Sequence, residues 1–325
     1  MKRILIPLSL CLTLTACGNA PGGGGNDPGS GYPEKGSRIS MEVPLSPGGT
    51  TDTWARILAD GLSRKTGAQF QVVNDTSAGG LATYNHVISE PEDTTVVSNF
   101  NLPSALKYVF PDTQADFSRK SFAPVGCTGY TPNVVVVNAK SDYETLDDLV
   151  QAAKDSPGAV TAAADGALSD DTVFYANLEN AVDTELNVAV VDGSSQKVTA
   201  LLGERVDFFS GGITGVQAQI DSGDFRVLAV LADERSPFLK DVPTAAEEGV
   251  DVTSDSYFCF TMGAGAPESA RKALESAMRE LAEDPEYKKA NADVGMEVRF
   301  LDGEKMSQVW SQQEDLARDV VDSIG

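Results

Sequence analysis

The sequence holds one histidine, His86, and four cysteines scattered at positions 11, 17, 127 and 259. One imidazole and two distant cysteines of the folded body do not make a typical zinc site. Ser/His/Asp catalysis would have to use His86 as its base, and no G-x-S-x-G turn supplies a nucleophile. No Gly-Lys-Ser/Thr follows a glycine loop and no G-x-G-x-x-G opens a helix, so the patterns of P-loop and dinucleotide binding are missing. Basic residues are scarce: 25 Lys plus Arg stand against 48 Asp plus Glu, a formal charge of −23. With no basic stripe to offset it, that charge repels phosphate backbones and argues against a nucleic-acid partner. No internal period is present, which excludes a repeat architecture.

Apolar residues make up 41% and charged residues 22% of 325, enough for a sizeable core and a length that suits two domains or one large α/β unit. Met1-Lys2-Arg3 precedes the apolar run from Ile4 to Leu14, too short to span a bilayer and composed like a secretory signal. The run ends in Leu14-Thr15-Ala16-Cys17, which resembles the bacterial lipobox; the resemblance implies a signal peptide over residues 1–16 and lipid attached to Cys17. Residues 17–37 are rich in Gly, Pro, Asn, Asp and Ser and read as a flexible tether. The expected protein is a globular body held to the outer side of the cell membrane by its lipid. Cys127 and Cys259 remain; an extracytoplasmic setting permits a disulfide, but a separation of 132 positions carries no spacing signal. Two buried free thiols are the reading favoured over a bridge.

Apolar runs of strand length recur, several of them rich in Val and bounded by Gly, Pro, Asn or Asp: 39–43, 70–73, 95–98, 133–138, 160–164, 186–191, 206–210, 225–231 and 257–262. Helical faces fall between them, as with Trp54, Ile57, Leu58 and Leu62, with Leu146, Leu149, Val150 and Ala153, and over the alanine-rich stretch 270–283. Alternation of strand and helix gives the α/β class. Two junctions stand out. One strand runs into Pro44-Leu45-Ser46-Pro47-Gly48-Gly49-Thr50-Thr51-Asp52, another into Asn74-Asp75-Thr76-Ser77-Ala78-Gly79-Gly80, and each leads into a helix. Glycine permits close backbone approach, and a helix start offers unpaired N–H groups under a positive partial charge, so each loop can receive an anion. Junctions at 165–170, 192–195 and 211–215 repeat the pattern more loosely.

The order Pro47-Gly48-Gly49, Asp52, Ala55-Arg56, Asn74, Ala78-Gly79-Gly80, Phe122-Ala123-Pro124-Val125, Leu201-Leu202-Gly203, Val206-Asp207, Arg235-Ser236-Pro237 and Asp241-Val242-Pro243-Thr244 resembles the extracytoplasmic solute receptors of tripartite tricarboxylate transporters, the Bug family. The resemblance runs from about Ile39 to the C-terminus. It implies a two-lobed periplasmic-binding-protein-like fold with a ligand cleft between the lobes and crossing hinge strands. Lobe one is expected over 38–130 with 256–325, and lobe two over 131–255. It also implies that Ser46, Gly48, Gly49, Thr50, Thr51 and Asp52, with Asn74, Ser77, Ala78, Gly79 and Gly80, bind a small carboxylate, much of it through main-chain amides.

In lobe two the chain departs from the family pattern. Asp165 to Ser169 with Asp171 stand where the family has a Ser/Gly-rich loop followed by His, and Val191-Asp192-Gly193 where it has Tyr-Lys-Gly. Lobe two therefore reads as having lost basic or neutral donors and gained acids. Asp165, Ser169, Asp171, Asp192 and Gly193 join the candidate ligand set, and Asp171 or Asp192 would face an ammonium or hydroxyls on the ligand. The reading favoured for Asp171 and Asp192 is nevertheless that of helix N-terminal acids facing water. His86, Trp54 and Trp310 read as packing or surface residues, and Asp52 first as a helix acid, second as support for loop or ligand.

Taken together, the sequence predicts a lipid-anchored receptor that is not an enzyme and uses no cofactor or metal. It would capture a small carboxylate and hand it to membrane-embedded transporter subunits. An extracytoplasmic sensor module for a signalling receptor is the first rival, and an enzyme acting on a carboxylate in the same cleft the second. The acidity of the chain is no obstacle: the Debye length is ~8 Å at physiological salt, so surface acids are screened from donors at ~3 Å. Charge-assisted hydrogen bonds of about 1.5–3 kcal/mol each suffice for the roughly −8 kcal/mol of a micromolar site.

Overall fold

The computed structural model describes residues 31–324 apart from 112, 114, 167, 168 and 192. The leader, Cys17 and most of the expected tether lie outside the described residues.

The chain alternates strands and helices: β1 (Arg38–Val43), α1 (Thr50–Thr66), β2 (Gln69–Asn74), α2 (Leu81–Ser89) and β3 (Val96–Asn99) come first. Then follow β4 (Phe122–Asn138), α3 (Leu146–Asp155), β5 (Thr161–Ala164), α4 (Asp170–Val182), β6 (Asn187–Val190), α5 (Ser194–Leu202), β7 (Phe208–Gly212), α6 (Ile213–Asp221) and β8 (Phe225–Val230). The chain ends with β9 (Asp255–Gly263), α7 (Glu268–Ala282), α8 (Pro285–Ala292), β10 (Glu297–Asp302) and α9 (Gly303–Ile324). Strand order is β2-β1-β3-β9-β4-β7-β5-β6, with β8 and β10 also paired to β4. β1 pairs in parallel with β2 and β3, and β5 with β6 and β7, whereas β4 is antiparallel to all its partners.

The organising element is β4. From Phe122 to Pro132 it pairs with β9, and its Gly126 to Tyr130 stretch also pairs with β10. From Asn133 to Asn138 its partners are β7 and β8. One strand of 17 residues thus belongs to two sheets, and the chain returns beside it, where the Asn133 amide donates to Ser254 O and the Ser254 amide to Leu231 O. The sequence predicts only 133–138 as strand here. Pro124, Gly126, Gly129 and Pro132 break the Val-rich pattern upstream, and the ladder accommodates them with register shifts between Pro124 and Gly126 and between Cys127 and Gly129. β10 was also outside the predicted set, because Glu297, Arg299 and Asp302 dilute its apolar signal.

Both sheets are covered on both faces, giving a two-lobed α/β body. In the first lobe Trp54, Leu58 and Leu62 of α1 pack with Met41, Phe260 and Met278, while Tyr84, Phe100 and Trp310 fill the other face. In the second, Leu146, Leu149, Phe174 and Tyr175 pack on one face and Leu201, Phe209, Ile213 and Val216 on the other. Trp54 and Trp310 are fully buried, as packing residues should be.

Cys127 and Cys259 are directly opposed on β4 and β9 and joined by a disulfide. The expectation of two free thiols is corrected. Both cysteines are indeed buried, but strand register brings them face to face, a relation that positions 132 apart in sequence do not reveal.

Candidate functional site

The parallel strands β1, β2, β5, β6 and β7 all lead from their C-terminal ends into turns and helix starts, which is where ligands bind in open α/β sheets. After β1, Gly49 forms the N-cap of α1 without a side-chain cap, so the first amides of the helix, beside Thr50, have no capping side chain. The loop is held by Asp52, which is 3% exposed. Its Oδ2 accepts from the Gly48 amide at 2.8 Å and from Arg56 Nε at 3.0 Å; its Oδ1 accepts from Asn74 Nδ2 at 2.9 Å and Arg56 Nη2 at 2.8 Å. Asn74 Nδ2 also donates to Leu45 O at 3.0 Å. Asp52 and Asn74 therefore fasten the two loops to each other, with their polar atoms directed at the protein. Burial alone would raise the Asp52 carboxyl, but bonds from Arg56, Gly48 and Asn74 outweigh it and hold the group below the usual range.

The second loop is similarly self-contained. The Ser77 amide donates to Asp75 Oδ1 at 2.8 Å, the Gly80 amide to Thr76 O at 3.2 Å, and Gly79 O accepts from Lys107 Nζ at 3.4 Å. Ala78 sits at φ +51, and Gly80 at φ +90 lies where a Cβ would come 2.6 Å from Pro44 O, so the two loops touch backbone to backbone.

Between the lobes lies a cavity of about 250 Å³. Of the N-terminal candidates only Thr50 lines it; Ser46, Gly48 and Gly49 are exposed beside that helix start, Thr51 is buried and accepts from Asn101 Nδ2 at 2.8 Å, and the stretch from Asn74 to Gly80 is not among the lining residues. Across the cavity mouth, the hydroxyls of Thr50 and Thr214 stand 3.4 Å apart, one from each lobe.

The second lobe supplies most of the wall through the junctions after β5, β6 and β7. Asp165, Asp170 and Asp171 line it, as do Ser194, Lys197, Gly211 and Gly212, with Asn133 from β4. Ser169 lies just outside: its Oγ caps α4 by accepting from the Thr172 amide. Gly193, at φ +81, opens α5, and Asp192 falls outside the described residues.

Two expectations about this lobe are corrected. It has not lost its cation: Lys197, one turn into α5, is 4% exposed and puts Nζ 2.6 Å from Asp171 Oδ2, 3.0 Å from Ser210 O and 3.9 Å from Asp165 Oδ2. Nor does Asp171 face bulk water; it is 6% exposed, and its Oδ2 also accepts from the Asp165 amide at 2.9 Å. Burial pushes the Asp171 carboxyl up to about 7 against the pull of the Lys197 ammonium. Asp170 is raised as well, first by removal from water and then by the charge of Asp165. Lys197 was missed because its signal is conditional. It is a helix face residue four positions after the β6 turn, and only the knowledge that this turn lines a cavity singles it out.

A smaller cavity of about 90 Å³ lies between α4 and α9, walled by Leu106, Phe110, Val173, Phe174 and Leu316, and Asp170 borders both spaces. His86 is away from either; its Nδ1 lies 2.6 Å from Glu42 Oε1 on the exposed side of α2. Among the described residues no group of His, Cys, Asp and Glu is arranged to hold a metal ion, and no helix is long and apolar enough to cross a membrane.

The family model of the tripartite tricarboxylate transporter family receptor matches residues 54–325. The protein BugT of Bordetella pertussis is 31% identical over 213 residues, 65% of each chain. Among solved structures, a solute binding protein from Polaromonas without ligand superposes with a TM-score of 0.77 at 21% identity, covering 90% of this chain and 99% of the other. Rpa4515 of R. palustris with adipate superposes with a TM-score of 0.75 at 21% identity, covering 89% and 98%.

Proposed function

The chain belongs to the tripartite tricarboxylate transporter receptor family, and from that premise we propose that it is a solute-binding protein which captures a small carboxylate in the cavity between its lobes. It works outside the cytoplasmic membrane, is anchored by lipid on Cys17, and delivers its ligand to membrane-embedded transporter subunits. The observation that carries this reading is the cavity of about 250 Å³ walled by Thr50 on one side and by the turns after β5, β6 and β7 on the other. Adipate in the structural neighbour Rpa4515 supports the carboxylate class.

The mechanism is closure without chemistry. Lobe one is residues 38–130 with 256–325 and lobe two 131–255, divided near the point where β4 changes partners. Ligand contacts drawn from both lobes exist together only when the lobes meet, so ligand shifts the population toward the closed form by its difference in affinity. The ligand set is Thr50 with the uncapped first-turn amides of α1, joined across the cavity by Asn133, Asp165, Asp171, Ser194 and Lys197. Asp52 and Asn74 hold the loop in place rather than touch the ligand.

A thermal-shift screen of mono-, di- and tricarboxylates and amino acids tests the proposal. A ligand at 100 times its Kd adds ~2.7 kcal/mol to unfolding stability. Failure of every carboxylate at millimolar concentration to raise Tm overturns it. Mass spectrometry of the ligand before and after incubation must show it unchanged, and cells lacking the protein must lose uptake of that ligand.

A further inference from the structure

The wall of the cavity carries more acceptors than donors. Asp165, Asp170 and Asp171 line it, and Lys197 is the one cationic side chain among its lining residues. The ammonium of Lys197 is already engaged with Asp171 Oδ2 and Ser210 O. Among the described residues, Asp165 receives one side-chain hydrogen bond, from Ser194 Oγ at 3.2 Å, and the Asp170 carboxyl receives one from its own backbone amide and none from a side chain. Independently of the acids, Asn133 is 9% exposed and lines the same space; its Nδ2 donates to Ser254 Oγ at 2.7 Å, while its Oδ1 accepts no hydrogen bond among the described residues. The Asn133 Oδ1 lies beside Gly212 on the cavity wall, 3.7 Å from where a Cβ would stand at that glycine. A dicarboxylate placed here adds acceptors to acceptors and negative charge to negative charge in a setting removed from bulk water.

We propose that the ligand carries a protonated amine as well as its carboxylate, with the cationic nitrogen held by Asp170, Asp165 and Asn133 Oδ1 and the carboxylate at Thr50 and the start of α1. This deepens the proposed function and rests on it: the cavity must first be the solute site. The class is thus an aminocarboxylate, in which the nitrogen satisfies acceptors that a dianion leaves unmet. The helix start of lobe one supplies the complementary end, since its amides and positive partial charge favour the anionic group. A ligand of this polarity closes the lobes by bonding each of its ends to a different one.

Calorimetric titration of the full-length chain with matched pairs tests the inference: succinate against 4-aminobutanoate, and adipate against 6-aminohexanoate. The expected result is at least tenfold tighter binding of the amine-bearing member in one of the pairs. Asp170→Asn and Asp165→Asn, each checked for folding by circular dichroism, should then weaken that member at least tenfold and leave its dicarboxylate counterpart unchanged or tighter. Competition between the two members on the unaltered protein gives the same answer if a variant misfolds. Tighter binding of the dicarboxylates overturns the inference and leaves the receptor reading intact. Binding of neither class, there or across the wider carboxylate screen, overturns both.

Discussion

Lys197 and Asp171 form an ion pair of 2.6 Å in which neither residue is more than 6% exposed. Removing one member of such a pair strands the other in a low-dielectric site, which typically costs about 3–5 kcal/mol. Lys197→Met should therefore destabilise the protein by that order above pH 8, where Asp171 is ionised. At pH 5, where the carboxyl can take up a proton, the loss should be much smaller. Denaturant melts at the two pH values check this, and equal losses at both contradict it.

The raised Asp171 carboxyl has its own pH signature. Its folded value of about 7 lies above the unfolded value near 3.9, so the native state binds the proton more tightly. The stabilisation is complete below pH ~4 and is lost as pH rises through 7, at no more than about 1.4 kcal/mol per pH unit. Wild-type stability measured relative to Asp171→Asn should fall across that window. A flat difference between pH 4 and 7 contradicts the assignment.

Asp52 should behave in the opposite sense. Its carboxyl is held below the usual range, so its contribution is present above pH ~4 and disappears as pH falls through the folded value. Hydrogen bonds to charged groups contribute about 1.5–3 kcal/mol, and several are lost together in Asp52→Ala. A loss of about 2–3 kcal/mol at pH 7 is expected, together with weaker ligand binding, because Gly48 and Asn74 lose their common anchor. Titration of the variant showing unchanged affinity would mean that the first loop keeps its shape without Asp52.

Two glycines separate folding from binding. Gly80 combines φ +90 with a Cβ position 2.6 Å from Pro44 O, so Gly80→Ala should cost more than about 2 kcal/mol and lower Tm. Gly212 has ordinary φ and ψ, and a Cβ there would meet Asn133 and Thr131 at a comfortable 3.7 Å on the cavity wall. Gly212→Ile should abolish ligand binding by occupying the cavity, at a stability cost of about 1–3 kcal/mol that leaves the protein folded. Thermal melts paired with ligand titrations distinguish the two outcomes.

The Cys127–Cys259 bridge closes a loop of 132 positions, worth about 2–5 kcal/mol in chain-entropy terms. The double variant Cys127→Ser/Cys259→Ser should melt lower by that order, and the unaltered chain should run differently on gels with and without reductant. Identical mobility would show that the cysteines are unpaired.

Local chemistry made much of this molecule readable. Apolar runs located every strand except β10 and the Phe122–Pro132 half of β4, the Trp54 and Leu146 patterns located α1 and α3, and the glycine turns after β1, β5, β6 and β7 marked where strands deliver the chain to the cavity rim. Relations across space were harder. The register that joins Cys127 to Cys259, the continuation of β4 through Pro132, and the depth of Lys197 each depend on a partner more than ten residues away. Asp52 was ambiguous in sequence for a related reason: an acid in a first helical turn can serve a ligand or a loop, and only the directions of Gly48, Arg56 and Asn74 decide between them.

The double membership of β4 fixes how the body can flex. A ribbon stitched along both edges cannot be pulled apart at its middle without tearing main-chain bonds, so, on the closure proposed above, the halves would move by twisting β4 around Pro132 and Asn133 together with the returning segment at Ser254 and Asp255 beside it. On the proposed closure, gating would be a rotation about a stiff axle, its arc set by how far a paired ladder can be wrung before its rungs give way.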